Sequence, residues 1–199
     1  MRRLALLLAV LLAGAARVAP AQGVRIEVSV DPFTKDPSVQ LRSLFSDARW
    51  RGALDDAFRV SMEWKVELWK RRLIDANVDT RTFTVVARRE PLLGQYFITI
   101  YDASGTVQNE RVFTSRTLFT AALEQPVTLR NIGPRTEGNW YYALEVRISA
   151  LDDEQFAELE RFMGADRRSS PTDVIAGLLL KLVGAPSQKV TATVPVRVP

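Results

Sequence analysis

Asn139-Trp140-Tyr141-Tyr142-Ala143-Leu144-Glu145-Val146-Arg147-Ile148-Ser149 is the stretch that decides the fold. Trp140, Tyr142, Leu144, Val146 and Ile148 fall on one face; Tyr141, Ala143, Glu145 and Arg147 fall on the other. A period of two sustained over that length describes a β-strand with one face on a core and one face polar.

Working outward, the same pattern recurs. Val24, Ile26, Val28 and Val30 alternate with Arg25, Glu27 and Ser29, and Asp31-Pro32 ends that run. Residues 39–45 read as a second strand or as loop packing. Met62, Trp64, Val66 and Leu68 share one face of a strand; Glu63, Lys65, Glu67 and Trp69 share the other. Residues 80–113 read as a meander of three antiparallel strands. Pro91 breaks the first of these, and Asp102-Ala103-Ser104-Gly105 makes a hairpin turn before the last. Its middle strand, 95–101, is apolar on both faces and so is expected at the centre of a sheet. A weak strand over 126–132 and a loop over 133–138 follow. Val190, Ala192, Val194, Val196 and Val198 alternate at the end, and Pro195 among them marks an edge strand or a bulge.

Helical signals are shorter. Residues 46–52 read as a turn and 53–59 as one or two helical turns, with Leu54 and Phe58 at i, i+4. Thr114 or Ser115 caps a helix reaching Glu124, with Leu118, Phe119, Ala122 and Leu123 inward. Asp152 and Gln155 form a capping box, with Leu151 stapled onto Phe156 and Gly164 as the stop. Ser170 caps a second helix with Pro171 in its first position, ended by Gly184 and Pro186. That helix is too short to span a bilayer. It carries one Lys, weak for lying on a membrane, and is expected to pack on the sheet. The expectation is a mainly β, antiparallel sandwich-like domain of seven to nine strands. Three or four short helices accompany it, two of them near the C-terminus.

Residues 1–21 read as a cleavable signal peptide. Met1-Arg2-Arg3 is a basic start, residues 4–16 form an apolar run of about 13, and Ala19-Pro20-Ala21 is an A-x-A cleavage site. The run is shorter than the roughly 20 residues a membrane span needs. Without a Cys after it there is no lipoprotein anchor. Cleavage after Ala21 leaves 22–199 as a single β-rich domain in the periplasm or outside the cell, without a stable membrane span.

Composition narrows function further. Removing Arg2, Arg3 and Arg17 from 27 basic residues leaves 24 against 23 acidic ones, a charge near +1. Such a chain has no global drive toward nucleic acid or anionic lipid. There are no Cys and no His. That removes disulfides, thiolate chemistry, the Ser-His-Asp triad and most zinc sites. No dinucleotide, phosphate-loop or EF-hand spacing occurs. No cofactor and no metal are implied, and the chain reads as non-enzymatic. Asp152-Asp153-Glu154 is better explained as acids complementing a helix dipole than as a cation site. Asp55-Asp56 points two ways from a short helix. A Ser-Lys dyad of Ser115 with Lys189 or Lys70 has no support in spacing.

The candidate site is Trp69-Lys70-Arg71-Arg72. Trp69 falls on the polar face of its strand and three cations follow it. Trp beside Arg is typical of protein-recognition hot spots and also suits an anionic ligand. The bland alternative is a Trp packed under a helix or loop with solvated cations. Arg88-Arg89, on a neighbouring stretch, add to the patch if the strands pair.

The blocks Ala53-Leu54-Asp55-Asp56-Ala57-Phe58-Arg59-Val60, Met62–Trp69 and Lys70-Arg71-Arg72 resemble the DUF4390 family of exported bacterial proteins. Gly94-Gln95-Tyr96, the segment 113–123 and the strand from Trp140 to Leu151-Asp152 resemble later blocks of that family, in the same order. Leu73-Ile74 stand where a tandem aromatic is usual. The resemblance covers roughly 25–165 and implies an exported β-rich envelope domain, with no activity and no site residues. Function is thus expected to be binding of a protein or envelope component, through β edges or the Trp69–Arg72 patch. The alternative is a carrier of a small apolar or anionic ligand, in a cleft between the sheet and the C-terminal helix. Oligomeric state has no signature in the sequence.

Overall fold

A computed structural model of the chain describes residues 23–151 and 186–198. The signal-peptide segment and the two helices expected beyond Leu151 lie outside the described residues. In order, the elements are β1 (Arg25–Val30), β2 (Pro37–Arg42), a 3-10 turn (Leu44–Ser46), α1 (Ala48–Asp55), β3 (Arg59–Lys70) and β4 (Ala76–Glu90). Then come β5 (Gln95–Asp102), β6 (Val107–Phe113), α2 (Arg116–Leu123), β7 (Val127–Thr128), β8 (Gly138–Leu151) and β9 (Ser187–Val198).

The fold is mainly β. The strands form two antiparallel sheets, β1-β2-β7 and β6-β5-β4-β3-β8-β9, which fits a sandwich. Alternation explains the layering. Met62, Trp64, Val66 and Leu68 of β3 lie opposite Ile148, Val146, Leu144 and Tyr142 of β8, and all eight are buried. Each such side chain removed from water contributes about 1.5–3 kcal/mol. From the small sheet, Val39 and Leu41 join the same core, and Ile26 and Val28 pack against it. Tyr142 brings a hydroxyl into this core and donates it to the Lys35 carbonyl at 2.8 Å. Burial pushes its phenol above the ordinary range.

Three expectations are corrected. The helix before β3 begins at Ala48, not Ala53. Asp47 caps it by accepting the Arg49 N–H at 2.9 Å, and Trp50, Ala53 and Leu54 are its buried face. Phe58 lies past its end, beyond Ala57 at φ 65, and is partly exposed. Second, the described residues hold two α-helices rather than three or four; the two expected near the C-terminus fall on residues outside the described ones. Third, β5 is next to the edge of its sheet, not central. Its second apolar face is matched by β6, where Val112 lies opposite Phe97.

The helix α2 lies where the sequence places it. Ser115 accepts the Leu118 N–H at 3.5 Å. Phe119 and Ala122 are buried, while Leu118 is exposed. At the other end of the large sheet β9 pairs with β8 over its whole length, and Pro195 sits on this edge strand. Gln188 of β9 ties α1 to the sheet, its Oε1 accepting from Arg49 Nη2 at 2.7 Å and Trp50 Nε1 at 3.2 Å.

Candidate functional site

The strand β3 ends in Trp69 and Lys70, and side chains diverge there because successive residues face opposite sides. Trp69 lies on the outer face of the sheet, directly opposite Tyr141 of β8. Their rings stack, with centroids 6.2 Å apart and planes 6° from parallel. The Arg71 guanidinium lies 5.4 Å from the Tyr141 ring centroid, and the Arg71 N–H donates to the Asn139 carbonyl at 2.9 Å. Stacking and cation–π contact of this kind are worth about 0.5–1.5 kcal/mol each. Trp69 Nε1 is shielded from solvent with no acceptor.

Lys70 goes the other way. Its Nζ lies 4.8 Å from the Trp140 ring centroid and donates to Thr136 Oγ1 at 3.1 Å. The four patch residues therefore divide: Trp69 and Arg71 share one face with Tyr141, and Lys70 braces the loop before β8. Arg72 belongs to the β3–β4 hairpin loop. Its N–H donates to Asp75 Oδ1 at 3.1 Å, and Asp75 Oδ2 accepts the Tyr141 hydroxyl at 3.1 Å. Desolvation, and then the Asp75 carboxylate, hold the Tyr141 phenol above its ordinary value. Pinned this way, the loop projects Leu73 and Ile74 into solvent.

Two further loops meet this end. The buried Asp36 carboxylate accepts the N–H groups of Asn131, Ile132 and Gly133 at 3.0, 3.1 and 2.7 Å, locking the β1–β2 loop onto the loop before β8. A Cβ on Gly133 would strike the Thr34 carbonyl, so the close approach needs glycine.

The charges are distributed unevenly. Over the sheet faces and α1, most cations are paired with carboxylates: Arg42 with Glu27 and Glu124, Arg49 with Asp47, Arg116 with Asp55, Arg147 and Lys189 with Glu145. Among the described residues Lys35, Lys70, Arg71, Arg72, Arg130, Arg135 and Arg197 have no such ion pair and belong to this one end; Arg51, Arg88 and Arg111 also lack one and lie elsewhere, Arg111 donating to Gln125 and the Ala122 carbonyl. Arg88 and Arg89 do not join it. The register sets Val60 opposite Ala87, so they lie at the far end of β3, with Arg89 bonded to the Asp55 carbonyl and Arg88 over Phe97.

No family model, curated protein or solved structure matches the chain.

The other candidates separate. Ser115 caps α2, Lys189 pairs with Glu145 at 2.7 Å and Lys70 bonds Thr136, so no Ser-Lys dyad forms. Asp55 is taken by Arg116. Asp152-Asp153-Glu154 lies outside the described residues, as does the cleft against 171–183. No cluster of acids among the described residues is arranged to hold a metal. Between the sheets, Trp50, Tyr142, Phe119 and Leu54 belong to one continuous, fully buried cluster.

One acid stands out that the sequence presents only as a polar-face residue. Burial pushes Glu63 up to about 7, and the Arg147 charge opposes that shift. Arg147 faces it across the strands, yet turns its Nε to Glu145 at 2.7 Å, while Lys65 pairs with Glu67 at 2.8 Å. Both cations within reach are thus engaged elsewhere. Beside it, Ser61 Oγ is buried without a partner. Perturbed acids often mark functional sites, but the cross-strand partners of Glu63 are Thr84 and Arg147, with no second carboxylate opposite it.

Proposed function

We propose that this chain is an exported, non-enzymatic binding module that docks an envelope component through the end of the sheet where Trp69 stacks on Tyr141. Export is supported by the basic start, short apolar run and A-x-A site of residues 1–21. The resemblance to DUF4390 in block order supports it too. No helix among the described residues is long and apolar enough to cross a membrane.

Docking is carried by one observation: seven basic residues without an ion pair gather at a single end, around a stacked Trp-Tyr pair, against three such residues, Arg51, Arg88 and Arg111, spread over the rest of the described residues. Elsewhere most cations are paired with carboxylates. Arg presents a planar fork of donors suited to carboxylates and phosphates. An aromatic beside it supplies apolar contact at low entropic cost.

The test is capture of crosslinked envelope components by the chain and by an Arg71→Ala/Arg72→Ala variant. Both residues are exposed, so the variant is expected to stay folded, with a loss of no more than the cation–π contact of Arg71 on Tyr141. A component held by the parent and lost by the variant supports the docking end. Equal capture by both overturns it.

A further inference from the structure

We infer that the component met by this end is an anionic lipid surface, with Leu73, Ile74 and Phe33 entering the headgroup layer and the unpaired cations facing lipid phosphates. This assignment rests on the docking reading above and names its partner.

Exposure carries the first part. Single apolar residues on a surface are ordinary. Here four large apolar side chains among the described residues exceed 80% exposure: Leu73 at 103%, Leu92 at 94%, Phe33 at 91% and Ile74 at 83%. Three of the four sit on loops of the same end. Leu73 and Ile74 form the tip of the β3–β4 hairpin, and Phe33 lies on the β1–β2 loop. The hydrogen bonds that Asp36 accepts and that Lys70 donates fix both loops to the segment before β8, so the tips are presented by a braced frame.

Charge carries the second part. Among the described residues the end holds seven basic side chains without an ion pair against four carboxylates without one, those of Asp31, Asp36, Asp75 and Glu137, an excess of three; the nearby Asp79 is paired with Arg81. Of the four acids only Asp36 is buried; Asp31 and Asp75 are exposed, each held by hydrogen bonds. Asp31 accepts the Phe33 and Thr34 N–H groups, Asp36 accepts three backbone N–H groups, and Asp75 accepts from Arg72 and Tyr141. A chain near neutrality overall thus carries a local attraction for negative lipid, which falls off within a Debye length.

The aromatic pair carries the third part. Trp69 and Tyr141 stand directly behind the hairpin tip. Trp and Tyr are the side chains suited to the headgroup level, where one edge is apolar and the other wet. Apolar tips first, aromatics and guanidinium groups behind them, is the order of a shallow membrane insertion. A protein partner would more readily use a continuous apolar patch; separated tips on convex loops fit a soft surface better.

The experiment is co-sedimentation of the full chain with phosphatidylcholine vesicles, with and without phosphatidylglycerol. The same assay is run on Leu73→Asp/Ile74→Asp, Arg71→Ala/Arg72→Ala and Leu92→Asp. All variants keep the N-terminal apolar run, so any contribution from it is common to them. The expected result is salt-sensitive binding to the anionic vesicles. Binding should be lost in the tip variant and about thirtyfold weaker in the arginine variant. It should be unchanged in Leu92→Asp, whose apolar side chain is at the opposite end. Equal binding to both vesicle types, or anionic binding indifferent to the tip variant, overturns the inference. Absence of binding while envelope capture still depends on Arg71 and Arg72 overturns the lipid assignment alone. Absence of both overturns the docking reading as well.

Discussion

Trp69 and Tyr141, 72 residues apart in sequence, are direct cross-strand partners whose rings stack at 6.2 Å on the outer face of the large sheet. That contact fixes the end of β3, and through the Tyr141 hydroxyl it fixes Asp75 and the hairpin loop.

Removing the ring has a measurable cost. Trp69→Ala is expected to destabilise the domain by about 1–3 kcal/mol, from lost stacking and lost burial of a half-covered ring. Trp69→Phe should cost much less, because it keeps an aromatic face and removes an indole N–H that has no acceptor. Urea unfolding of the two variants checks the order; an equal loss in both contradicts it.

Glu63 gives the domain a pH dependence of known sign. Its carboxyl is pushed from an ordinary 4.5 up to about 7 by burial. Between those values the folded state holds the proton that the unfolded chain releases. Its contribution is therefore full below the unfolded pKa and is lost as pH rises through about 7. The loss is on the order of 2 kcal/mol, since the side chain retains some access to water. Glu63→Gln has no proton to lose. Melting temperatures of parent and variant should draw apart as pH rises from 4.5 to 8 in favour of the variant; parallel curves contradict this.

Asp36 is a structural anchor with no part in docking chemistry. Asp36→Ala strands three backbone N–H groups and is expected to cost about 3 kcal/mol or more. Asp36→Asn keeps one acceptor oxygen and should fall between. Gly133→Ala is expected to destabilise as well, because its methyl would meet the Thr34 carbonyl. Unfolding midpoints of the three variants test this ranking.

How much of this was legible depended on whether the signal was local. The alternation of β3 and β8 was readable because each strand has one core face, and residues such as Val66 and Leu144 name it. The meander over β4–β6 was readable because Asp102 and Gly105 shape its second turn, Asp102 Oδ1 accepting the Ser104 and Thr106 N–H groups. The start of α1 was not. Arg49, Arg51 and Gly52 obscure the buried spacing of Trp50, Ala53 and Leu54, and the cap at Asp47 carries no box partner. The candidate site was half legible. Trp69 on the polar face and the cations after it are visible in sequence. Their partner Tyr141 and the distant Arg130, Arg135 and Arg197 are not, because only the register brings them to one end. Glu63 was invisible for the same reason: whether a polar-face carboxylate finds a cation depends on where Arg147 turns.

The most direct test of the central claim is site-specific photocrosslinking in the producing cell, with the photoreactive residue at Arg72 in one form and at Leu92 in the other. Both sites are exposed and stand at opposite ends of the large sheet. The account predicts adducts with envelope material from position 72 and none above background from position 92. Adducts from position 92 alone, or equal yields from both, would contradict it.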